Sequence, residues 1–345
     1  RRTLFRAAIL AVAILAVSIA VFGFFFVRTS AAVLDGRDAL IRARDAVLEM
    51  NFGKAVLEID RASASFNRAE SGAAVLQIAE WVPFAGERVR VSASMLRSGR
   101  EIVRALSRLA EIGAELIRIS GLSESEVSET FDDVTSTMTF DALPSETKRA
   151  VLRRMSAAAD DFASIYTSLV LAEAELADVL DDPFVGPYLA MLEQWRARIA
   201  ETRSFVETAT IASRLLPQFL GLEQEKETLL LFLNNEELRP GGGFIGTYGI
   251  LSMKDGEIVS IKTRDAYYLD RAAEPFLKNI PPVPLRKYLV VSNWFFRDAN
   301  WSPDFALSSK KSVELWNTEA RAVPHAEQPR TFANVAGFTP TFISS

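Results

Sequence analysis

The alternation of hydrophobic and polar residues divides the chain into three regions, of which the first is a long uncharged run. Ala7 to Val27 contains 21 residues without a charged side chain. At about 1.5 Å per residue, a helix of this length spans roughly 30 Å, the thickness of the hydrocarbon core of a bilayer. The apolar core of a signal peptide is usually shorter, about 7–15 residues. The run therefore predicts an uncleaved transmembrane anchor over residues 1–30, which contacts the lipid bilayer through Ala7 to Val27.

Basic residues on both sides of this run bear on its orientation. Arg1, Arg2 and Arg6 crowd the short N-terminal side, whereas the arginines beyond Arg28 alternate with acidic residues. Acidic residues count for little in the positive-inside rule, so they leave the orientation open. We favour an N-terminus inside the cell. This orientation predicts a single-pass protein of the cell membrane with the bulk of the chain extracytoplasmic.

The second region, residues 31–216, has the period of amphipathic helices. Apolar positions step by three and four residues, which is the pattern of helices that pack side by side. We interpret the region as a long antiparallel bundle of about four helices that acts as a stalk, because its apolar stripes are typical of core packing. The most regular stripe consists of Val151, Met155, Ala158, Phe162, Ile165, Leu169, Ala172, Leu176 and Val179.

After Pro217 and Gly221 the period changes from that of helices to that of strands. Lys254-Asp255-Gly256 separates two apolar runs, and Asp-Gly is among the strongest hairpin signals. The pattern predicts an α/β domain over residues 222–345, and the fold class of the whole chain is therefore α+β. The predicted strands are Thr228–Leu233, Phe244–Met253, Glu257–Lys262 and Leu289–Ser292, and the predicted helix is Phe305–Trp316. The apolar ending FTPTFISS predicts that this domain is incomplete at the C-terminus.

The composition excludes several classes of protein. The net charge is −5, whereas a nucleic-acid binder needs a basic face, so we expect no nucleic acid partner. There is no cysteine and one histidine, which excludes a disulfide framework and a cysteine nucleophile and argues against a structural zinc site. No GxSxG motif is present to support a serine hydrolase.

One stretch, residues 234–270, combines residues that suit a phosphate. Gly241, Gly242 and Gly243 could expose successive backbone N–H groups that bind an anion. Arg239 and Arg264 could each bind a phosphate in the bidentate manner that lysine cannot. Asp265 could hold magnesium, which prefers oxygen ligands. In the alternative interpretation the glycines only permit an unusual backbone, and Arg239 and Asp265 satisfy polar groups at strand ends.

A second cluster, WFFRDANWSPDF, places Arg297 and Asp298 among aromatic residues. Tryptophan faces could stack on sugar rings while the acids bind hydroxyl groups or carry protons. In the structural alternative, Asp298 and Asn300 form turns and the tryptophans fill the domain. We include Arg297 and Asp298 among the candidate ligand-binding residues.

Three stretches carry a family resemblance. EELRPGGGFIGTYGIL at residues 236–251, NWFFRDANWSPDF at residues 293–305 and the closing GFTPTFIS resemble the bacterial membrane-anchored family known as domain of unknown function 4012. The resemblance covers roughly residues 225–345, and the anchor followed by helices fits the same layout. It implies a membrane-anchored bacterial protein but no specific chemistry.

A more distant resemblance concerns the LytR-CpsA-Psr family. The order of Arg239, a strand, the Lys254-Asp255-Gly256 turn, a second strand and Arg264-Asp265 is similar to that family's motifs. The resemblance implies a phosphotransferase that moves glycopolymers from polyprenyl-pyrophosphate to the cell wall, with magnesium as cofactor. It implies phosphate-binding roles for Arg239 and Arg264, and a motif acid at Asp265. Where that family has an acidic residue, this chain has Gly242 and Gly243, so one magnesium ligand is missing.

These observations leave three functions open. The first is an envelope protein whose outer α/β domain binds an anionic ligand, either a cell-wall glycan or a polyprenyl-phosphate lipid. The second is an active glycopolymer phosphotransferase. The third is a structural or signalling scaffold whose α/β domain binds proteins. The missing acid disfavours catalysis, and the arginines around the glycines favour ligand binding.

Overall fold

The computed structural model describes residues 2–77, 85–123, 140–180, 186, 189–323, 325 and 327–339. Within the helices, the side chains of residues 2–20, 22, 26, 74–77, 85–92, 178 and 179 are outside this description. The chain forms two compact units. The helical unit comprises Arg1–Leu143 and Arg154–Arg214, and the sheet unit comprises Pro144–Arg153 and Leu215–Ser345.

Long helices account for nearly all of the described chain before the sheet. The turn between the first two helices is only three residues long, so these helices run antiparallel, and Asn51 caps the second by accepting the backbone N–H of Lys54. The helices are α1 (Arg2–Leu48), α2 (Phe52–Gln77), α3 (Ala85–Ser120), α4 (Ser145–Ala157), α5 (Ala159–Leu180) and α6 (Leu189–Phe219). In the helical unit α1, α2 and α3 contact one another, and α3 also contacts α5.

Small residues let the helices of this unit approach closely. The ring of Phe66 on α2 lies between Gly36 of α1 and Gly99 of α3. A methyl group at Gly99 would lie 2.5 Å from the ring, and one at Gly36 would lie 2.9 Å from it. The ring of Phe52 fills the space above Gly113 in the same way. In this core aromatic rings pack against glycines, with buried alanines and leucines around them.

The predicted transmembrane anchor is not supported by this structure. Ala7–Val27 is part of the 47-residue helix α1, so its helical conformation agrees with the prediction. Among the residues that the structure describes, however, no helix is long and apolar enough to cross a membrane. Most side chains of Ala7–Val27 lie outside the described residues. Those that are described include Val21, Phe24 and Val27, which are 47%, 60% and 67% exposed.

The sheet unit is built on four strands in the order β3-β2-β1-β4. The strands β1, β2 and β3 pair antiparallel, whereas β4 pairs with β1 in parallel. The predicted mixed α+β class is therefore confirmed, with helices dominating and the sheet confined to the C-terminal region. The strands are β1 (Lys226–Asn234), β2 (Phe244–Lys254), β3 (Glu257–Asp265) and β4 (Asn334–Phe338).

The turn between β2 and β3 has the geometry that its sequence predicts. Asp255 and Gly256 both adopt positive φ, at 49° and 86°, which is the requirement of a tight type I′ hairpin. Asp255 Oδ1 also accepts the backbone N–H of Glu223, and Lys148 of α4 pairs with Glu257 at 2.9 Å. The hairpin is therefore fixed at its tip as well as along its strands.

Helices cover one face of the sheet and form its core. Ile245, Tyr248 and Ile250 of β2 and the leucines of β1 pack against Phe296 and Trp316, which are fully buried. The helical elements of this unit are α7 (Ala266–Ala273), α8 (Val283–Tyr288), α9 (Phe305–Ala322) and the single 3₁₀ turns Glu274–Phe276 and Phe296–Asp298, of which α7, α9 and Phe296–Asp298 contribute residues to the core.

One predicted strand is wrong and one strand was not predicted. Leu289–Ser292 is not a strand, because Val290 adopts a φ of 53° and its side chain is 85% exposed. The fourth strand is Asn334–Phe338, whose register with β1 pairs Leu230 with Ala336. A five-residue strand that contains glycine carries too little alternation to be detected from its own sequence.

Candidate functional site

The candidate residues gather at one end of the sheet. Asn234 ends β1, Phe244 begins β2 and Asp265 ends β3, and the antiparallel pairing places these three positions at the same end. The glycine-containing loop 235–243 connects the first two positions, and α7 begins directly after the third. The 3₁₀ turn Phe296–Asp298 contacts β2 and α7. The topology thus brings the two sequence motifs together.

Arg239, a candidate phosphate-binding residue, is paired with Asp298 in this structure. Its Nε and Nη2 atoms both donate to Asp298 Oδ1, at 2.9 and 2.7 Å. The side chains of Arg239 and Asp298 are 12% and 2% exposed. The guanidinium also lies 5.2 Å from the centre of the Phe244 ring. Two candidate ligand-binding residues therefore bind each other, and a phosphate would have to displace Asp298 to reach Arg239.

Arg297, the candidate arginine of the second motif, connects Asp298 to acidic residues deeper in the core. Arg297 donates from Nη1 to Asp270 Oδ2 at 2.7 Å and lies 3.7 Å from Asp298. The side chain of Asp270, on α7, is fully buried and interacts electrostatically with Glu319 of α9, which is also fully buried. Glu319 Oε1 accepts the backbone N–H of Phe296 at 2.7 Å. Arg239, Asp298, Arg297, Asp270 and Glu319 form one continuous chain of contacts, which we call the buried ion network.

The charge balance of the buried ion network requires a proton. Two guanidinium groups face three carboxyl groups, so full ionisation would leave one unpaired negative charge in the core, which is costly. Asp270 Oδ1 and Glu319 Oε2 are buried and have no donor among the described residues. A proton held between these two carboxyl groups satisfies both oxygens and neutralises the network.

The pKa shifts of the two acids agree with a shared proton. Burial raises the pKa of Glu319, and the charge of Asp270 raises it further. Burial also raises the pKa of Asp270, but the hydrogen bond from Glu319 and the charge of Arg297 oppose this shift. Both pKa values are raised, which favours one protonated carboxyl group in the pair, and the charge of Arg297 favours Asp270 as the ionised member.

Two of the three glycines, Gly241 and Gly243, pack against protein, whereas Gly242 is exposed. The N–H of Gly241 donates to the carbonyl of Asn300, and that of Gly242 donates to the carbonyl of Arg239. A methyl group at Gly241 would lie 2.0 Å from the side chain of Asn300, and one at Gly243 would lie 2.7 Å from the carbonyl of Asn234. The geometry of Gly241, Gly242 and Gly243 follows the structural alternative, in which glycine permits close approach and, at Gly242, a φ of 107°.

Asp265 has a structural partner of its own. Its Oδ1 accepts the backbone N–H of Tyr267 at 2.8 Å, which caps the N-terminus of α7. Within the described residues, no three acidic, histidine or cysteine side chains cluster in a way that could hold a metal ion. Gly242 and Gly243 add no carboxylate. The described residues therefore do not fit the magnesium site implied by the LytR-CpsA-Psr resemblance.

Arg264 is the predicted phosphate-binding residue that remains accessible. Its side chain is 42% exposed, lies 3.5 Å from Glu327 and stacks 4.4 Å above the ring of Tyr268. The hydrogen bond with Tyr268 raises the pKa of Arg264. Glu327 also accepts the hydroxyl of Tyr248, whose pKa is raised by burial. Arg264 is thus held by an aromatic ring and a carboxylate, and 42% of its side chain is exposed.

A second arginine and tyrosine lie beside this pair. Arg271 is exposed and lies 5.1 Å from the ring of Tyr267, one helical turn earlier on α7. Tyr267 and Tyr268 are 37% and 46% exposed. We call Arg264, Tyr267, Tyr268 and Arg271 the arginine–tyrosine surface. It combines fixed cations with accessible aromatic rings, the groups that bind phosphates and sugar rings.

Sequence reasoning missed Asp270 and Glu319, the innermost members of the network. Both occupy positions on otherwise apolar helix faces. Asp270 adjoins the buried Leu269 and Ala273, and Glu319 follows Leu315 and Trp316 at helical spacing. A charged residue at an expected core position is the signal that could have identified them.

A pocket in the helical unit is a weaker candidate. It lies among Leu40, Leu106, Leu169 and Trp195 and is lined mainly by apolar side chains. It contains none of the predicted site residues and no carboxyl group, and its polar lining is restricted to Arg44, Arg198 and Thr202. It supplies no group for chemistry.

The fold and site together define a class: a mixed α+β unit with one helix-covered sheet face and an ion network in its core. Residues 223–326 match the family model described as "Protein of unknown function (DUF4012)". The match covers less than half of the chain and confirms the resemblance of this part to that family, whereas the resemblance to the LytR-CpsA-Psr family is not shown. No curated protein matches the chain. No solved structure matches it either.

Proposed function

We propose that this protein is a membrane-anchored envelope protein whose sheet unit binds an anionic ligand through the arginine–tyrosine surface. The ligand class is a phosphate-bearing cell-wall glycan or a polyprenyl-phosphate lipid. The observation that carries the proposal is the contrast between Arg239 and Arg264. The side chain of Arg239 is 12% exposed and is bound by the buried Asp298, whereas Arg264, which pairs with Glu327 at 3.5 Å and stacks on Tyr268, is 42% exposed.

The chemistry of the surface fits this ligand class. Arg264 and Arg271 supply fork-shaped donors that bind phosphate oxygens in pairs. Tyr267 and Tyr268 supply rings on which a sugar can stack, and their hydroxyl groups can bond to its hydroxyls. Because each ring already contacts a guanidinium, little side-chain freedom is lost when the ligand binds.

The anchor remains part of the proposal. Ala7–Val27 carries no charge over 21 residues and continues without interruption into the described part of α1. The large apolar side chains of Val21, Phe24 and Val27 point away from protein and are about half or more exposed. Apolar side chains around a helix suit lipid better than water. The basic residues before the run support an extracytoplasmic location for the remainder.

The binding proposal can be tested with defined probes. Full-length protein in nanodiscs would be titrated with polyprenyl pyrophosphate and, separately, with a soluble glycerol-phosphate polymer. We expect saturable binding that weakens in the Arg264→Ala, Arg271→Ala double variant by about 10- to 100-fold for each arginine removed, because each lost hydrogen bond to a charged group contributes about 1.5–3 kcal/mol. The matched control is Arg321→Ala, an exposed arginine near the end of α9. Equal affinity in both variants would exclude the arginine–tyrosine surface.

Topology has a separate test, because the chain contains no cysteine. A cysteine at the exposed position Lys262 would be the only thiol in the protein. We expect a membrane-impermeant maleimide to label it in intact cells. Labelling only after lysis would place the sheet unit inside the cell and contradict the proposed location.

Glycopolymer phosphotransfer is the second candidate, favoured by one observation. Arg239, Arg264 and Asp265 lie at the same end of the β2–β3 pair, as the resemblance to the LytR-CpsA-Psr family implies. Transfer of a glycan from polyprenyl pyrophosphate would be measured with and without magnesium. Magnesium-dependent turnover would establish this candidate, whereas binding without turnover favours the first, and neither activity leaves the scaffold role.

A further inference from the structure

One loop of the sheet unit carries an unusual combination of exposed apolar and basic side chains. It begins after Asn279 and is closed at its base by a hydrogen bond of 2.8 Å from the Trp294 backbone N–H to the Asn279 carbonyl. Such closed loops are compact and are often functional. Pro281 and the side chain of Leu285 are buried and attach the loop to the unit.

The outer side of the loop is strongly apolar. Its large hydrophobic side chains are far more exposed than core residues of a soluble unit would be. Contiguous exposed apolar surface of this kind marks an interaction site. The residues are Ile280 (76%), Val283 (63%), Tyr288 (71%), Leu289 (49%) and Val290 (85%), with Phe276 (64%) just before the loop.

The backbone at Val290 supports a functional origin for this exposure. Val290 adopts a φ of 53°, a conformation that is strained for a β-branched residue. Strain of this kind persists where it serves a site. Here it accompanies a valine side chain that is almost entirely in solvent.

The charge of the segment identifies the partner. Residues 277–292 contain Lys278, Arg286 and Lys287 and no acidic residue, although the whole chain has a net charge of −5. Among the described residues none of the three forms an ion pair, and Lys287 only lies 5.0 Å from the ring of Tyr288. Exposed apolar side chains interleaved with unpaired cations are the composition of segments that bind anionic lipid surfaces.

We propose that residues 276–290 dock on an anionic lipid surface. The apolar side chains enter the boundary between headgroups and acyl chains, and the three cations contact phosphate groups. The proposal rests on the membrane anchoring proposed above, because the anchor keeps the chain at a bilayer, but it assigns a second and separate contact. A basic protein partner is disfavoured by like charge, and an acidic protein partner is an outcome that the test detects.

The absence of cysteine makes the test direct. Full-length Ile280→Cys protein would carry one environment-sensitive fluorophore, in nanodiscs that contain either anionic or zwitterionic lipid. We expect a blue-shifted emission and quenching by spin-labelled lipid in the anionic nanodiscs. The matched control is Leu307→Cys, an apolar position of the same unit that is 55% exposed, where we expect neither change.

Charge variants and a second label separate the possible results. The Lys278→Gln, Arg286→Gln, Lys287→Gln triple variant should lose the shift, because each cation near an anionic surface contributes about fivefold to partitioning. A label at Val21→Cys reports the anchor. Lipid quenching at position 21 with none at position 280 would overturn the loop proposal alone, whereas none at either position would overturn the anchor as well. A blue shift without lipid quenching would mean that protein covers the loop and would also overturn the proposal.

Discussion

The surroundings of buried charged side chains differ between the helical unit and the sheet unit, and two glutamates show this difference. Glu58 of α2 is 7% exposed, but its partners Arg42 and Arg61 are 50% and 66% exposed. Burial alone would raise the pKa of Glu58, but the hydrogen bonds and charges of both arginines outweigh it and lower the pKa. Glu319 lies among groups that are nearly all buried, and its pKa is raised. The helical unit thus keeps charge at its surface, whereas the sheet unit places it in the core.

This difference indicates which unit carries function. Apart from such surface pairs, the core of the helical unit consists of alanines, leucines and aromatic rings that pack against glycines. Its arginine–carboxylate pairs, such as Arg100 with Glu70, are about half exposed and contribute little. The sheet unit places five ionisable side chains in its interior, whereas Arg264 and Arg271 remain partly or fully exposed.

We expect the largest effect from a substitution that disrupts the packing of the helical unit. Phe66→Ala removes a ring that is 2% exposed between Gly36 and Gly99. We expect a loss of about 3–5 kcal/mol in unfolding free energy, because the backbones that surround the ring cannot collapse into the cavity. Hydrogen exchange by mass spectrometry would locate the loss in α1–α3. Val56→Ala, at a side chain that is 46% exposed, is the control.

The next effect breaks the buried ion network. Asp298→Asn removes the carboxylate that binds Arg239 and the weaker contact of Arg297, which keeps Asp270, while preserving shape. We expect the sheet unit to lose about 1–3 kcal/mol, because a buried group loses its partner. Faster exchange should appear in β1 and β2 and not in α1–α3. If Asp298→Asn were as stable as Glu314→Gln, in which the charge is removed from an exposed pair, the network would not stabilise this unit.

The third prediction uses pH to sharpen the comparison. Glu319 keeps its proton in the folded state. In the unfolded chain it loses this proton once the pH exceeds its ordinary pKa of 4.5. Stability of the sheet unit should therefore fall as pH rises from about 5, by at most about 1.4 kcal/mol per pH unit. Glu58 has the opposite sign, because its folded pKa is lowered, so its contribution is lost as pH falls.

A neutral isostere isolates the contribution of that proton. Glu319→Gln keeps an acceptor for the Phe296 N–H and a donor for Asp270 but cannot ionise. We expect its unfolding free energy to match the wild type near pH 5 and to exceed it at pH 8. If chemical denaturation gives the wild type and Glu319→Gln parallel profiles of unfolding free energy against pH, Glu319 is not the protonated group.

The smallest effect decides the role of Asp265. Asp265→Ala removes the cap of α7 and should cost about 1 kcal/mol in thermal or chemical denaturation. Asp265→Ser can still cap, so we expect it to recover most of the loss. Magnesium should not change the stability of the wild type or of either variant. A magnesium-dependent stabilisation that is present only in the wild type would restore the metal-binding role.

The sequence predicted local features better than the site. Asp255-Gly256 determines a hairpin by its own backbone preferences, and Ala158, Ile165, Leu169, Ala172 and Leu176 are buried as their spacing predicts. The predicted stripe is nevertheless divided between α4 and α5, because the helix is interrupted at Ala158. Local pattern predicts which face is buried but not where a helix bends.

The candidate site depends on contacts between distant residues, which explains why it was predicted only in part. Arg239 and Asp298 were both identified, but their mutual bond joins residues 59 positions apart. Asn300 was interpreted as a turn former, whereas its fully buried amide donates to the Gly243 carbonyl. No single stretch of sequence shows that two polar groups satisfy each other, so the sequence leaves both ligand binding and the structural alternative open.

The most direct test of this account is the infrared spectrum of the full-length protein at neutral pH. A protonated carboxyl group has a C=O stretch that is distinct from the bands of carboxylates. We predict such a band in the wild type, its loss in Glu319→Gln and its retention in Glu314→Gln. If the wild type shows no protonated carboxyl group at neutral pH, the three buried acids are all ionised and the proposed charge balance of the sheet unit is wrong.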